Sequence, residues 1–366
     1  MELLKLIGTF LIQPLLWLGI LWTGVCYALR IRSDRRNFKI ALNKDCFEIR
    51  HFIKKGILWG VSGSLISLII GCYLPLKAIV LYEILAAVAV LCISRIDLSA
   101  VPLYILGILA VLRQPAILPV VLLLLGFNYL VKGRLTHGEN AVWFTPQIKQ
   151  NRRKRRLAVY RWSEFTVLPL MIYIPGTLME KLFHFLPLIH FGEVHFSLFI
   201  LPFFVGSAGR IRGEQIEARM QTVQKQSLIL MAAAFILAVG AWLLPHLGIL
   251  WIMIMLAMTV GIHLYHYLQV NKNWAQYIEV SEGIRVIAIR PGTPAAKMSL
   301  NPGDVILTCN NQPVTNENQF YEALQLDSAY CHLKVKTMSG DLKITEGAIY
   351  NDSPYELGIV QFRKMN

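Results

Sequence analysis

Apolar runs close to the thickness of a bilayer follow one another as far as Lys272, and they decide most of what this chain can become. Windows of about twenty residues place them near 6–29, 56–74, 78–94, 98–112, 115–131, 163–182, 196–209, 228–245 and 248–268. The pattern predicts a polytopic α-helical membrane domain over 1–274. Runs between 78 and 131 are short and broken by Arg95, Asp97, Arg113 and Pro115, so parity is better defined than the number of spans. A mean hydropathy of +0.51, with 55% hydrophobic and 16% charged residues, agrees with a membrane protein. The first run, Leu6–Leu29, is too long for the apolar core of a removable signal and lacks a small-x-small cleavage site, so it is expected to be the first span.

The net charge of +14 resembles that of a nucleic-acid binder, but its distribution does not. Residues 1–274 hold 28 of the basic residues against 12 acidic ones, and 22 of those 28 fall in segments 30–55, 132–161 and 210–226. Basic loops beside spans mark the cytoplasmic side. The N-terminus is therefore expected outside, the three basic loops and everything beyond Lys272 inside, with seven or nine spans in all. The densest run, Arg152-Arg153-Lys154-Arg155-Arg156, either orients the protein or attracts anionic lipid. No nucleic-acid partner is expected. The six cysteines form no Cys-x-x-Cys pair; Cys26, Cys72 and Cys92 in apolar runs and Cys309 and Cys331 in expected strands read as small buried hydrophobes, which fits a reducing setting for the C-terminal unit.

From about residue 275 the pattern changes to that of a compact β-rich α/β unit. Ile284–Arg290 alternates as a strand, Pro294–Met298 reads as a short helix, and Asn301-Pro302-Gly303-Asp304 as a turn into the strand Val305–Cys309. Asn316 with Gln319 forms a capping-box pattern opening an amphipathic helix through Leu326. Strands 332–338 and 341–346 flank Ser339-Gly340, and a last strand covers Leu357–Phe362.

The block Gly283–Val314, with Pro291-Gly292-Thr293-Pro294-Ala295-Ala296, Leu300, Pro302-Gly303-Asp304-Val305-Ile306-Leu307 and Asn311-x-Pro313-Val314, resembles a bacterial PDZ domain. The resemblance implies a small C-terminal PDZ domain over 275–366, in which a peptide adds as an extra strand beside a long helix. Gly283, Ile284, Val286, Phe320 and Leu324 would line that groove. Met298-Ser299 depart from the family's Ala-Gly, and no Gly-Leu-Gly-Phe carboxylate loop is visible, so an internal segment is as suitable a ligand as a C-terminus.

Catalytic patterns are sparse. The His-Glu-x-x-His of intramembrane zinc proteases is absent, and neither His263/His266 nor His190/His195 around Glu193 completes a metal set. Gly60-Val61-Ser62-Gly63 matches the Gly-x-Ser-Gly of rhomboid proteases, but the same small residues serve helix packing. A rhomboid-like protease using Ser62, with His246 or His263 as conceivable partners, and a PDZ-regulated transporter remain the alternatives to a non-enzymatic adaptor. No cofactor or metal is expected.

The opening Leu-x-x-Pro-Leu-x-Trp-x-Gly (11–19), the basic loops and a PDZ unit closing on Tyr355-Glu356-Leu357-Gly358-Ile359 together resemble the MinJ-type division-topology proteins of Gram-positive rods. That resemblance implies an adaptor between a DivIVA-like polar scaffold and a MinD-like ATPase, with other division proteins as partners and enrichment at septa and poles.

Overall fold

The computed structural model describes residues 2–135, 144–150, 155–175, 188–191, 194–212, 214–272, 277–327, 329–349 and 357–362. Helices arise from the Leu- and Ala-rich runs: α1 (Glu2–Ile12), α2 (Pro14–Phe38), α3 (Phe47–Ile70), α4 (Leu76–Cys92), α5 (Val101–Arg113) and α6 (Leu118–Leu135) precede a β-rich insertion. Two more, α7 (Ile216–Leu243) and α8 (Gly248–Lys272), follow it. Pro14 opens α2 where its missing N–H costs nothing, and Gly71 closes α3 in the left-handed region at φ 78°. Among the described residues, five helical stretches are long and apolar enough to cross a membrane: 14–38, 47–70, 115–135, 216–243 and 245–269. The acid at Asp97, isolated in sequence, is held by Lys132 at 2.5 Å and accepts from the backbone and hydroxyl of Ser99.

Two expected spans are not helices. Of the run 163–182, residues 163–175 lie in β2 (Arg156–Pro175) and 176–182 fall outside the described residues, while 196–209 lies in β4 (Val194–Ile211). With β1 (Thr145–Gln150) and β3 (Leu188–Phe191) they form an antiparallel sheet of order β1-β2-β4-β3. Proline explains part of the outcome. Inside a helix Pro169 and Pro202 would each cost about 3 kcal/mol. Here they face one another across the β2/β4 pair, with their ring nitrogens on the outer edges, so neither removes a ladder bond.

The hairpin is buried among the helices, and its outer edges are closed by them. Along β2, Ser64 Oγ donates to Pro169 O and accepts from the Met171 N–H, while Tyr173 exchanges both its backbone groups with Cys72 and Leu74. Along β4, Gln13 donates to Ile200 O, Tyr82 accepts from the Phe204 N–H, Asn128 donates to Phe204 O, and Ser99 donates to Gly206 O. Helix α3 runs beside β2 in the same direction at very close range. A Cβ on Gly60 would stand 2.5 Å from Pro169 Cδ, and one on Gly63 would strike the Phe127 ring. A small-residue face therefore seals a strand edge, which apolar surroundings require of any backbone polar group.

Candidate peptide-binding groove

The C-terminal unit packs a sheet of order β10-β9-β7-β5 around Val286, Ile306, Cys309, Leu333 and Val335, all buried. Its strands are β5 (Ile284–Arg285), β7 (Val305–Cys309), β9 (Tyr330–Lys336) and β10 (Leu342–Ala348), with β8 (Gln312–Pro313) on β7. The single strand expected over Ile284–Arg290 is divided because it changes partner. β5 pairs with β7, whereas β6 (Ala288–Ile289) pairs with β11 (Ile359–Val360). Short helix α9 (Pro294–Lys297) and the turn at Asn301–Asp304 form where expected; Gly303 adopts φ 104° and Asp304 accepts from the Asn301 N–H at 2.9 Å. Helix α10 (Glu317–Gln325) is capped by Asn316 accepting from the Gln319 N–H at 3.0 Å, and Gln319 reaches back to the Thr315 N–H at 2.9 Å.

A narrow cleft of about 50 Å³ lies between α10 and Leu357–Gln361. Phe320 and Leu324 supply the helical wall, and Leu357, Gly358, Ile359 and Val360 the opposite one. Gly358 sits at φ 87°, and a Cβ there would overlap Thr293. The backbone of this wall is anchored from behind: Leu357 O accepts from Ala295, Gly358 O from Arg290 and Val360 O from Ile287. Phe38 and Ile40, from the end of α2 and the loop after it, border the cleft.

The five residues expected to line one groove are therefore distributed. Phe320 and Leu324 face Leu357–Gln361; Gly283 and Ile284 line an adjoining cleft with Thr315, Asn316 and Gln319; Val286 is wholly buried in the core. The strand wall expected at 283–286 is supplied instead by 357–360, where Leu357-Gly358-Ile359 carries an apolar-Gly-apolar pattern.

The unit is fixed to the base of the helical half. Residues 277–279 join the edge of β2: Ala158 N–H donates to Tyr277 O and Glu279 N–H to Arg156 O, both at 3.0 Å. Tyr160 donates to Ile287 O at 2.6 Å and meets the Tyr277 ring edge-on at 4.8 Å. Arg156 forms a two-pronged ion pair with Glu279 and lies over Phe362. Of the basic run expected to orient the protein or to meet anionic lipid, Arg156 is thus engaged in this joint and Arg155 is exposed, while Arg152, Arg153 and Lys154 lie outside the described residues.

Ser62 donates to Leu58 O and Trp59 O of its own helix, and the ring of His263 bonds to Thr259 O. The glycines around Ser62 serve the approach of α3 to β2 and Phe127. Among the described residues no group of three or more His, Cys, Asp or Glu could hold a metal ion.

The chain thus combines a half made of several apolar helices with a β-rich C-terminal PDZ domain, and residues 268–336 match the PDZ domain family. Over 98% of its length it is similar to the cell division topological determinant MinJ of Bacillus subtilis, at 26% identity across 379 residues and 94% of that protein. The probable MinJ of Lacticaseibacillus paracasei and that of Lacticaseibacillus casei are each 26% identical, over 98% of this chain and 99% of theirs. The resemblance seen in the opening and closing motifs therefore extends along almost the whole chain, to proteins named as division determinants and not as enzymes.

Proposed function

We propose that this protein is a non-enzymatic membrane adaptor in division-site selection. It holds a peptide-binding PDZ domain at the cytoplasmic face, with the N-terminus outside. The observation that carries this reading is the wall Leu357–Val360 standing opposite Phe320 and Leu324 in a domain joined to apolar helices, in a chain resembling division determinants over 98% of its length. A partner's segment enters beside 357–361 and places its apolar side chains against α10, as in strand addition to other PDZ domains. The partners this reading assigns are a DivIVA-like polar scaffold and a MinD-like ATPase, which the protein would bridge at septa and poles.

The test is a fluorescent fusion expressed from its own locus in growing rods. Recruitment to septa is expected for the intact protein, with minicells on deletion of the gene. Loss of partner capture is expected for Gly358→Val together with Phe320→Ala. Uniform membrane fluorescence with normally placed septa would overturn the division assignment. Undiminished capture of both partners by the double variant would instead remove the groove from it.

A further inference from the structure

A second cleft, of about 410 Å³, opens where the polar end of α2 meets the base of the β2/β4 sheet. Arg36, Arg95 and Arg161 line it, together with Leu29, Phe144 and Trp162. Glu48 and Glu164 also line the cleft, but both are already committed. Glu48 binds Arg30 at 2.5 Å, and Glu164 binds Lys55 at 2.6 Å and the His51 ring at 2.9 Å. Among the described residues, no carboxylate pairs with Arg36, Arg95 or Arg161. Arg161 donates to the carbonyl of Ser94 and is partly buried, with Arg210 and Arg95, both of its own sign, close by. In the β2/β4 register Arg161 stands directly opposite Arg210. Like charges facing each other across strands are destabilising, so the fold sustains an arrangement that an anion would relieve.

The cleft continues into apolar surface. Trp17, Leu21, Val25 and Leu29 recur every four residues along α2, and each is exposed. From first to last this stripe rises about 18 Å, similar to half of a hydrocarbon core about 30 Å thick. Guanidinium groups suit phosphate through paired N–H donors. We propose that this cleft is a binding site for an anionic glycerophospholipid. Its phosphodiester would lie among Arg36, Arg95 and Arg161, with an acyl chain along the Trp17–Leu29 stripe. The site is separate from the basic run at 152–156 and from the peptide groove.

The experiment uses the full chain, stripped of lipid in detergent and titrated with phosphatidylglycerol, phosphatidylcholine or inorganic phosphate, with native mass spectrometry and thermal melting as readouts. Phosphatidylglycerol is expected to give one tightly retained lipid and a raised melting temperature, and the other two ligands neither. Arg36→Gln with Arg95→Gln, both at exposed positions, is expected to weaken retention roughly thirtyfold, at about a factor of five per basic residue. Arg155→Gln is expected to change nothing. An equal response to inorganic phosphate would overturn the lipid assignment in favour of a free phosphate. Equal retention by the double variant would overturn the site.

Discussion

Glycine at positions 56, 60 and 63 of α3 is required by what lies opposite, because an added methyl group would stand well inside van der Waals contact with Thr166, Pro169 or Phe127 respectively. Gly60→Ala is expected to lower stability by about 1–3 kcal/mol through overpacking, seen as a fall in the melting temperature of the detergent-solubilised protein. Gly24, with nothing within 4 Å of an added Cβ, is the control, and its change to alanine should leave melting unchanged or raise it. Equal loss at both positions would mean that α3 does not approach β2 as described.

Asp304 offers a residue-level test of a different kind. Burial raises its carboxyl above the usual range, against the opposing pull of the Asn301 N–H and Lys343. A folded-state value above the unfolded one means that the stabilising contribution is present in acid and is lost as pH rises through the raised value. Asp304→Asn keeps an acceptor for Asn301 without the charge. Its stability relative to wild type should therefore improve from about pH 4 to pH 7, as read by hydrogen exchange of the amides over 301–309. A gap independent of pH would show that the carboxylate carries no penalty.

Among the elements, the helices were readable from their Leu-rich runs, except that the expected first span 6–29 is divided at Gln13 between α1 and α2, and so were α10 with its cap, the turn at 301–304 and the strand 305–309, because local chemistry alone dictates them. The β2/β4 hairpin was not. Hydropathy measures apolar length, and a strand enclosed by helices has the same apolar length as a span. The distinguishing signal was present in residue type: Phe165–Ile174 and Phe196–Val205 are rich in β-branched and aromatic residues, with a proline in the middle of each. The strand wall of the groove was missed for another reason, since β11 pairs with β6 some seventy residues earlier and no local pattern announces that partnership.

The joint between the sheet and the PDZ domain is a buried apolar cluster in which Tyr277, Ile287 and Val360 pack with Phe38, Phe144, Tyr160 and Ile216, and one hydrogen bond within it can be removed selectively. Tyr160→Phe leaves Ile287 O without its donor and should cost about 1 kcal/mol. Faster amide exchange is expected over 284–290, with 305–309 unaffected. Uniform acceleration across the domain would mean that Tyr160 supports its folding and not its docking.

For the molecule as a whole, an antiparallel hairpin goes out and returns just as two helices would. Replacing two helical spans by strands therefore leaves the parity expected from the basic loops unchanged, and labelling can test the orientation it implies. Cys46, in the loop after α2, is exposed, and it gives a native probe of orientation. In a Cys26→Ser, Cys92→Ser background, a membrane-impermeant maleimide should label Cys46 in inside-out vesicles and not in intact protoplasts. Labelling of intact protoplasts would reverse the orientation and place the PDZ domain outside the cytoplasm.

The groups that close the edges of the hairpin share a property with consequences for how the protein is made. Gln13, Ser64, Cys72, Leu74, Tyr82, Ser99 and Asn128 all precede β2 in the sequence. A ribosome therefore finishes the receptacle before it releases the strands that fill it. When β2 and β4 are made, the residues that pair with their edges are already present in the chain. Unpaired strand edges template aggregation, and this order of synthesis supplies their partners first.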